Sequence, residues 1–122
     1  MKHIFTIHSP ITFFSACAVI FQENLAHEDV IIINDGYKVP FKIGTIVDSY
    51  QQQEKGIWKK IKNFNLVKAY EQYINELTNG QQFIAYIDLM HAYQRLLITN
   101  PNCVKFNFIE EGTASYVVPD NL

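Results

Sequence analysis

The stretch "DVIIIND" (29–35) carries four consecutive apolar residues between an acidic start and an amide-carboxylate end. A strand with one wet face alternates apolar and polar residues, because successive side chains point to opposite faces. Val30, Ile31, Ile32 and Ile33 do not alternate. They predict a strand buried on both faces, as in a parallel sheet covered by helices on each side. Asp35 and Gly36 then supply a turn.

Towards the amino terminus, "SPITFFSACAVIFQENLA" (9–26) reads as a helix. Ser9 is its N-cap and Pro10 its first helical residue. Phe13, Ala16, Cys17, Ile20 and Phe21 recur at helical spacing, which predicts one buried face. Before it, "HIFTIH" (3–8) is a short apolar run rich in β-branched residues, consistent with a buried strand.

Towards the carboxyl terminus, residues 37–56 carry the weakest pattern. "GTIVDSY" (44–50) holds a candidate third strand, and "QQQEKG" (51–56) reads as a loop. Helical periodicity returns at Ile57, with one stripe of Ile57, Ile61 and Phe64 and another of Leu66, Tyr70, Tyr73, Ile74 and Leu77. Asn63 to Asn65 is a candidate break between them, and "NG" (79–80) ends the segment. "QFIAYID" (82–88) is a strand. "LMHAYQRLLITN" (89–100) is a helix that must stop before Pro101, since a residue preceding proline disfavours helical angles. "CVKFNFI" (103–109) is a last strand, with Val104, Phe106 and Phe108 on one face. Strands alternating with helices imply parallel crossovers, and so an α/β, Rossmann-like three-layer domain with a mainly parallel sheet.

Ligands of such sheets gather at the carboxyl ends of the strands. Three polar turns are expected there: "HSP" (8–10), "NDG" (34–36) and "EEG" (110–112). In "EEG", a carboxylate could serve as a general base. Adjacent side chains on extended backbone point apart, so at most one of Glu110 and Glu111 would face a site. Gly112 would give the turn a permissive backbone. In "HSP", helix-start amides can hold an anion and Ser9 can add a hydroxyl. Taken alone, "HSP" and "EEG" read as an ordinary helix cap and a solvated turn.

The 122 residues suit one domain, and 48% hydrophobic against 18% charged residues is a globular balance. A net charge of −2 gives no general attraction to nucleic acid or anionic membrane. Lys55, Lys59, Lys60 and Lys62 read as the solvated face of a helix. Cys17 and Cys103 sit in or beside apolar runs, as buried reduced thiols of a cytosolic protein do. His3, His27 and His91 are scattered without metal-ligand spacing, and "DSY" (48–50) is no acidic pair, so no metal is expected. There is no GxGxxG, Walker or GxSxG motif. A lipoprotein-like signal in "MKHIFTIHSPITFFSAC" is interrupted by His8, Ser9 and Pro10. No apolar run reaches the roughly 20 residues that span a bilayer.

The segments "IFTIHSPITFFSA" and "FIEEGTASY" together resemble the N-terminal half of bacterial lipooligosaccharide sialyltransferases and capsular polysialyltransferases. Those families open with a strand, a small-residue/proline turn and a helix. They carry an acidic-acidic-Gly motif after a strand, followed by small or hydroxyl residues and an aromatic, here Thr113, Ser115 and Tyr116. The likeness covers both ends of the chain, and 37–80 only by pattern.

The resemblance implies half of a GT-B-like fold, in which two Rossmann-like domains face a cleft. It implies a CMP-activated sialic acid as donor, a surface-glycan hydroxyl as acceptor, inversion at the anomeric centre and no metal cofactor. Glu110 or Glu111 would deprotonate the acceptor, with Ser9, Pro10, Gly112 and Thr113 lining the substrate site. The setting would be cytoplasmic, peripheral at the inner face of the membrane. The family holds its nucleotide mainly through a His-Pro motif and a Ser/Thr-rich motif in the second domain. This chain has no His-Pro dipeptide. Residues 1–122 are therefore expected to be a single acceptor-side domain, without the nucleotide-binding one and with little activity alone. Two alternatives stay open. One is a non-enzymatic α/β interaction module or relic, whose abundant aromatics would form a homo-oligomer or partner surface. The other is a related transferase using another nucleotide sugar.

Overall fold

The structure is a computed structural model that describes residues 1–50, 66–88 and 92–109. Five strands form one sheet: β1 (Lys2–Ile7), β2 (Val30–Asn34), β3 (Thr45–Asp48), β4 (Phe83–Ile87) and β5 (Cys103–Phe108). Their spatial order is β3-β2-β1-β4-β5, and every neighbouring pair is parallel. Helices α1 (Pro10–Gln22), α2 (Leu66–Thr78) and α3 (Ala92–Ile98) flank it. The expected α/β, Rossmann-like three-layer domain with a parallel sheet is the observed architecture.

α1 begins where its capping residues allow. The Ser9 hydroxyl accepts from the Thr12 amide at 3.3 Å, and the Thr12 hydroxyl accepts from the Ser9 amide at 3.0 Å. This reciprocal box satisfies donors that the first turn leaves orphaned, and Pro10 follows at the first helical position. The helix ends at Gln22, earlier than the sequence pattern suggests, and Asn24 takes a left-handed φ of 53°. Its buried stripe is Thr12, Phe13, Ala16, Cys17 and Ile20. Phe21 falls outside that stripe and is 69% exposed, against expectation.

On the α1 side, Phe13, Ala16, Cys17 and Ile20 pack on Phe5, Ile7, Val30, Ile32 and Tyr86. Residues 35–44 connect β2 to β3 without a helix. Tyr37, Val39 and Ile43 of this irregular segment pack into the same cluster, so the segment does what a crossover helix would. Gly44 closes it at φ 67° where a Cβ would lie 2.7 Å from Val30 Cγ1, so glycine is required for both angle and space. On the other side, Tyr70 and Ile74 of α2 and Leu97 of α3 cover Ile4, Ile31, Ile33, Phe83, Ala85 and Ile87. α2 stops at "NG" as read, with Asn79 at φ 60° and Gly80 at φ 75°. Ile57, Ile61, Phe64 and the four lysines 55, 59, 60 and 62 lie outside the described residues.

β5 pairs with β4 through a register shift opposite Phe83 and Ile84. Cys103 is half-buried and Cys17 buried, both as free thiols. Among the described residues no helix is long and apolar enough to cross a membrane.

Candidate functional site

The strand order creates a switch point. From β1 the chain crosses by α1 to β2 on one side, while from β4 it crosses by α3 to β5 on the other. The crevice at the carboxyl ends of β1 and β4 is where ligands of such sheets bind. The residue after β1 is His8, and the residue after β4 is Asp88. Their side chains meet, with His8 Nε2 bonded to Asp88 Oδ2.

A carboxylate can only accept, so His8 Nε2 is the donor and carries hydrogen. The two partners differ in environment: the His8 side chain is 40% exposed and that of Asp88 is 0% exposed. The second carboxylate oxygen, Oδ1, accepts from Gln94 Nε2 at 2.6 Å. Gln94, buried on α3, also donates to Thr6 Oγ1 at 2.9 Å, and Thr6 donates to the Tyr86 carbonyl at 3.3 Å. Burying a carboxylate is costly unless its lone pairs are met, and here both oxygens are. No buried side-chain polar atom among the described residues lacks a partner.

The adjoining edge is tyrosine-rich. Tyr50, Tyr70, Tyr73 and Tyr93 pack with ring centroids 5.3 to 6.0 Å apart. Burial first, then Tyr73 and Tyr93, raises the Tyr70 phenol, and burial with Asp48 pushes Tyr73 up to about 12. Tyr70 and Tyr73 are therefore neutral walls. Tyr73 donates to the Asp48 carbonyl at 2.6 Å, and Ser49 donates to Asp35 Oδ1 at 3.0 Å. Between His8, Asp35, Ser49, Tyr70, Tyr93 and Gln94 lies a cavity of about 30 Å³. That is room for roughly two waters.

A larger hollow of about 350 Å³ lies on the α1 side of β4 and β5, lined by His3, Glu23, Tyr86, Lys105 and Asn107 among others. His3 Nδ1 and Tyr86 Oη share a hydrogen bond of 2.9 Å there. Burial, then the N-terminal ammonium, lowers the His3 imidazole below its ordinary value, with Asp29 and Glu23 opposing.

Of the residues picked from sequence, Ser9 and Pro10 lie at this carboxyl edge, and the Ser9 hydroxyl is engaged in the α1 cap. Glu110, Glu111, Gly112 and Thr113 lie outside the described residues. Ile109, just before them, donates its amide to the Ile87 carbonyl at 2.8 Å, so β5 delivers the chain to the same edge. The pattern "HSP" was noticed for Ser9, yet the structure brings His8 to Asp88. The sequence signal for Asp88 is "YID", which has the same signature as "NDG": a carboxylate directly after an apolar strand. Among the described residues no three His, Cys, Asp or Glu side chains are grouped to hold a metal ion. No family model, curated protein or solved structure matches the chain.

Proposed function

We propose that this chain is the acceptor-side domain of an inverting, sialyltransferase-like glycosyltransferase acting at the inner face of the membrane. The observation that carries the reading is the His8–Asp88 pair at the switch-point crevice, a proton-handling pair at the edge where a parallel sheet presents its ligand. Transfer to a sugar hydroxyl needs that kind of group, since a hydroxyl is a poor nucleophile until its proton is taken during attack. The donor is a CMP-activated sialic acid and the acceptor a glycan hydroxyl. Glu110 or Glu111, which follow Ile109 in sequence, and His8 are the candidate proton acceptors.

Protein purified from its native gene, incubated with CMP-N-acetylneuraminic acid and lactose, is expected to release CMP and form a sialoside of inverted anomeric configuration by NMR. Absence of transfer and of binding across CMP-, UDP- and GDP-sugars would remove the reading. Transfer from a UDP- or GDP-sugar alone would move it to a related transferase.

A non-enzymatic interaction module is the second reading. It is favoured by β5, an edge strand among the described residues, which exposes Phe106 and Phe108 side by side with ring centroids 5.8 Å apart. The occupant it implies is a second copy of this chain. Concentration-dependent dimerisation in sedimentation, abolished by Phe108→Ser, supports it; a strict monomer refutes it.

A further inference from the structure

We infer that His8 is the general base of this site and that Asp88 is its positioning residue. The inference rests on the transferase reading above and names the group that takes the acceptor proton.

The geometry is that of a carboxylate-oriented imidazole. Asp88 is sequestered from water and holds Nε2 as the N–H. In the neutral ring Nδ1 is then the nitrogen with the lone pair, and among the described residues it has no partner. A half-exposed ring with one nitrogen pinned and the other bare can accept a proton from a bound molecule. The carboxylate behind it then faces an imidazolium, which stabilises the state formed during reaction. Asp88 is itself held by Gln94, and Gln94 by Thr6, so the ring's orientation is tied to β1, β4 and α3 at once.

The network is more than the fold needs. A buried polar pair adds little net stability over well-packed apolar residues, and the same crevice floor could have been closed with leucine. Among the described residues the remaining titratable groups around the cavity are Asp35 after β2, Tyr70 on α2 and Tyr93 on α3. Asp35 already accepts from Ser49, and Tyr70 is held neutral by burial. α1 brings no acidic residue in its first turn.

In the step, the acceptor hydroxyl gives its proton to His8 Nδ1 as its oxygen forms a bond to the anomeric carbon of the nucleotide sugar. The bond from that carbon to the phosphate oxygen breaks, and its electron pair leaves with CMP. The imidazolium later returns its proton to solvent.

The test uses protein purified from its native gene, with CMP-N-acetylneuraminic acid and lactose. His8→Gln is expected to lower kcat about 10²- to 10⁴-fold, the range for loss of a general base, with donor KM little changed. Asp88→Asn should also lower kcat, because an amide can present a donor to Nε2 and select the wrong tautomer. Transfer within about threefold of wild type in His8→Gln, far short of such a loss, overturns the assignment and leaves the transferase reading standing. A wild-type protein that uses no nucleotide sugar overturns both. Independently of turnover, ¹⁵N NMR of His8 should report the Nε2–H tautomer in wild type and its loss in Asp88→Asn. An Nδ1–H tautomer in wild type overturns the inference.

Discussion

β2 and β5 are both short parallel strands made largely of apolar residues, and they have opposite fates. Val30 to Ile33 of β2 are buried in succession. In β5, Val104, Phe106 and Phe108 are 46%, 39% and 59% exposed. Lys105 and Asn107 interrupt β5 where β2 runs unbroken, but that does not explain why its apolar Val104, Phe106 and Phe108 are exposed. β2 has α1 on one face and α2 on the other, and β1 and β3 on its flanks. Among the described residues β5 has one neighbouring strand, β4, and Cys103 is its residue that packs against the cluster containing Leu97 of α3. A strand's burial is set by what crosses its faces, so equal apolarity can mean core in one place and surface in another.

The largest effect that would test this contrast is in β2. Ile32→Ala should destabilise the protein by about 2–5 kcal/mol in urea unfolding, the range for truncating a fully buried isoleucine. A cost near zero would mean that β2 is not enclosed. Next comes the segment that closes the α1 side of β2. Gly44→Ala should cost about 1–3 kcal/mol, because its φ of 67° disfavours a side chain and the new Cβ meets Val30. Tolerance there would mean that the 35–44 segment is not held against the strand. Ser9→Ala removes the α1 cap and should cost about 1 kcal/mol, whereas Ser9→Gly should cost a few tenths. Equal losses for both would show that the hydroxyl does something other than cap.

On the β5 side, Phe108→Ser should change stability by no more than about 0.5 kcal/mol. A loss comparable to that of Ile32→Ala would show that this edge is covered in solution and would collapse the comparison. The smallest effect belongs to His3, in the hollow beside β5. Its imidazole is lowered on folding, so the unfolded chain binds its proton more readily. Stability is therefore full above about pH 6.5 and declines as pH falls through that value towards the folded one. His3→Gln should flatten that decline in thermal melts between pH 7 and 5. An unchanged slope would assign the decline to other groups.

Much of the fold was legible because its causes are local. Ser9, Pro10 and Thr12 specify a helix start within a few residues, and "NG" specifies a stop through two left-handed residues. The unbroken apolar run of β2 announced cover on both faces. Phe21 was misjudged because helical spacing alone does not say where the centre of the buried stripe lies; the burial of Thr12 shifts it away from Phe21. The 37–43 segment was unreadable because Tyr37, Val39 and Ile43 cover the sheet from irregular backbone, which has no period to detect.

The candidate site was half visible. "HSP" was placed correctly at a strand's carboxyl end, but its histidine has no meaning without Asp88, 80 residues away. By itself, the sequence determined which of the described segments become strands and helices, where α1 begins and α2 ends, and that the sheet is parallel. Those outcomes depend on backbone hydrogen bonding, caps and apolar periodicity within a few turns of chain. Strand order depends instead on which distant apolar faces bury one another. Only the tertiary structure set β4 against β1, and with it His8 against Asp88, because that adjacency comes from closing the sheet around Ile4, Phe5, Ala85 and Tyr86.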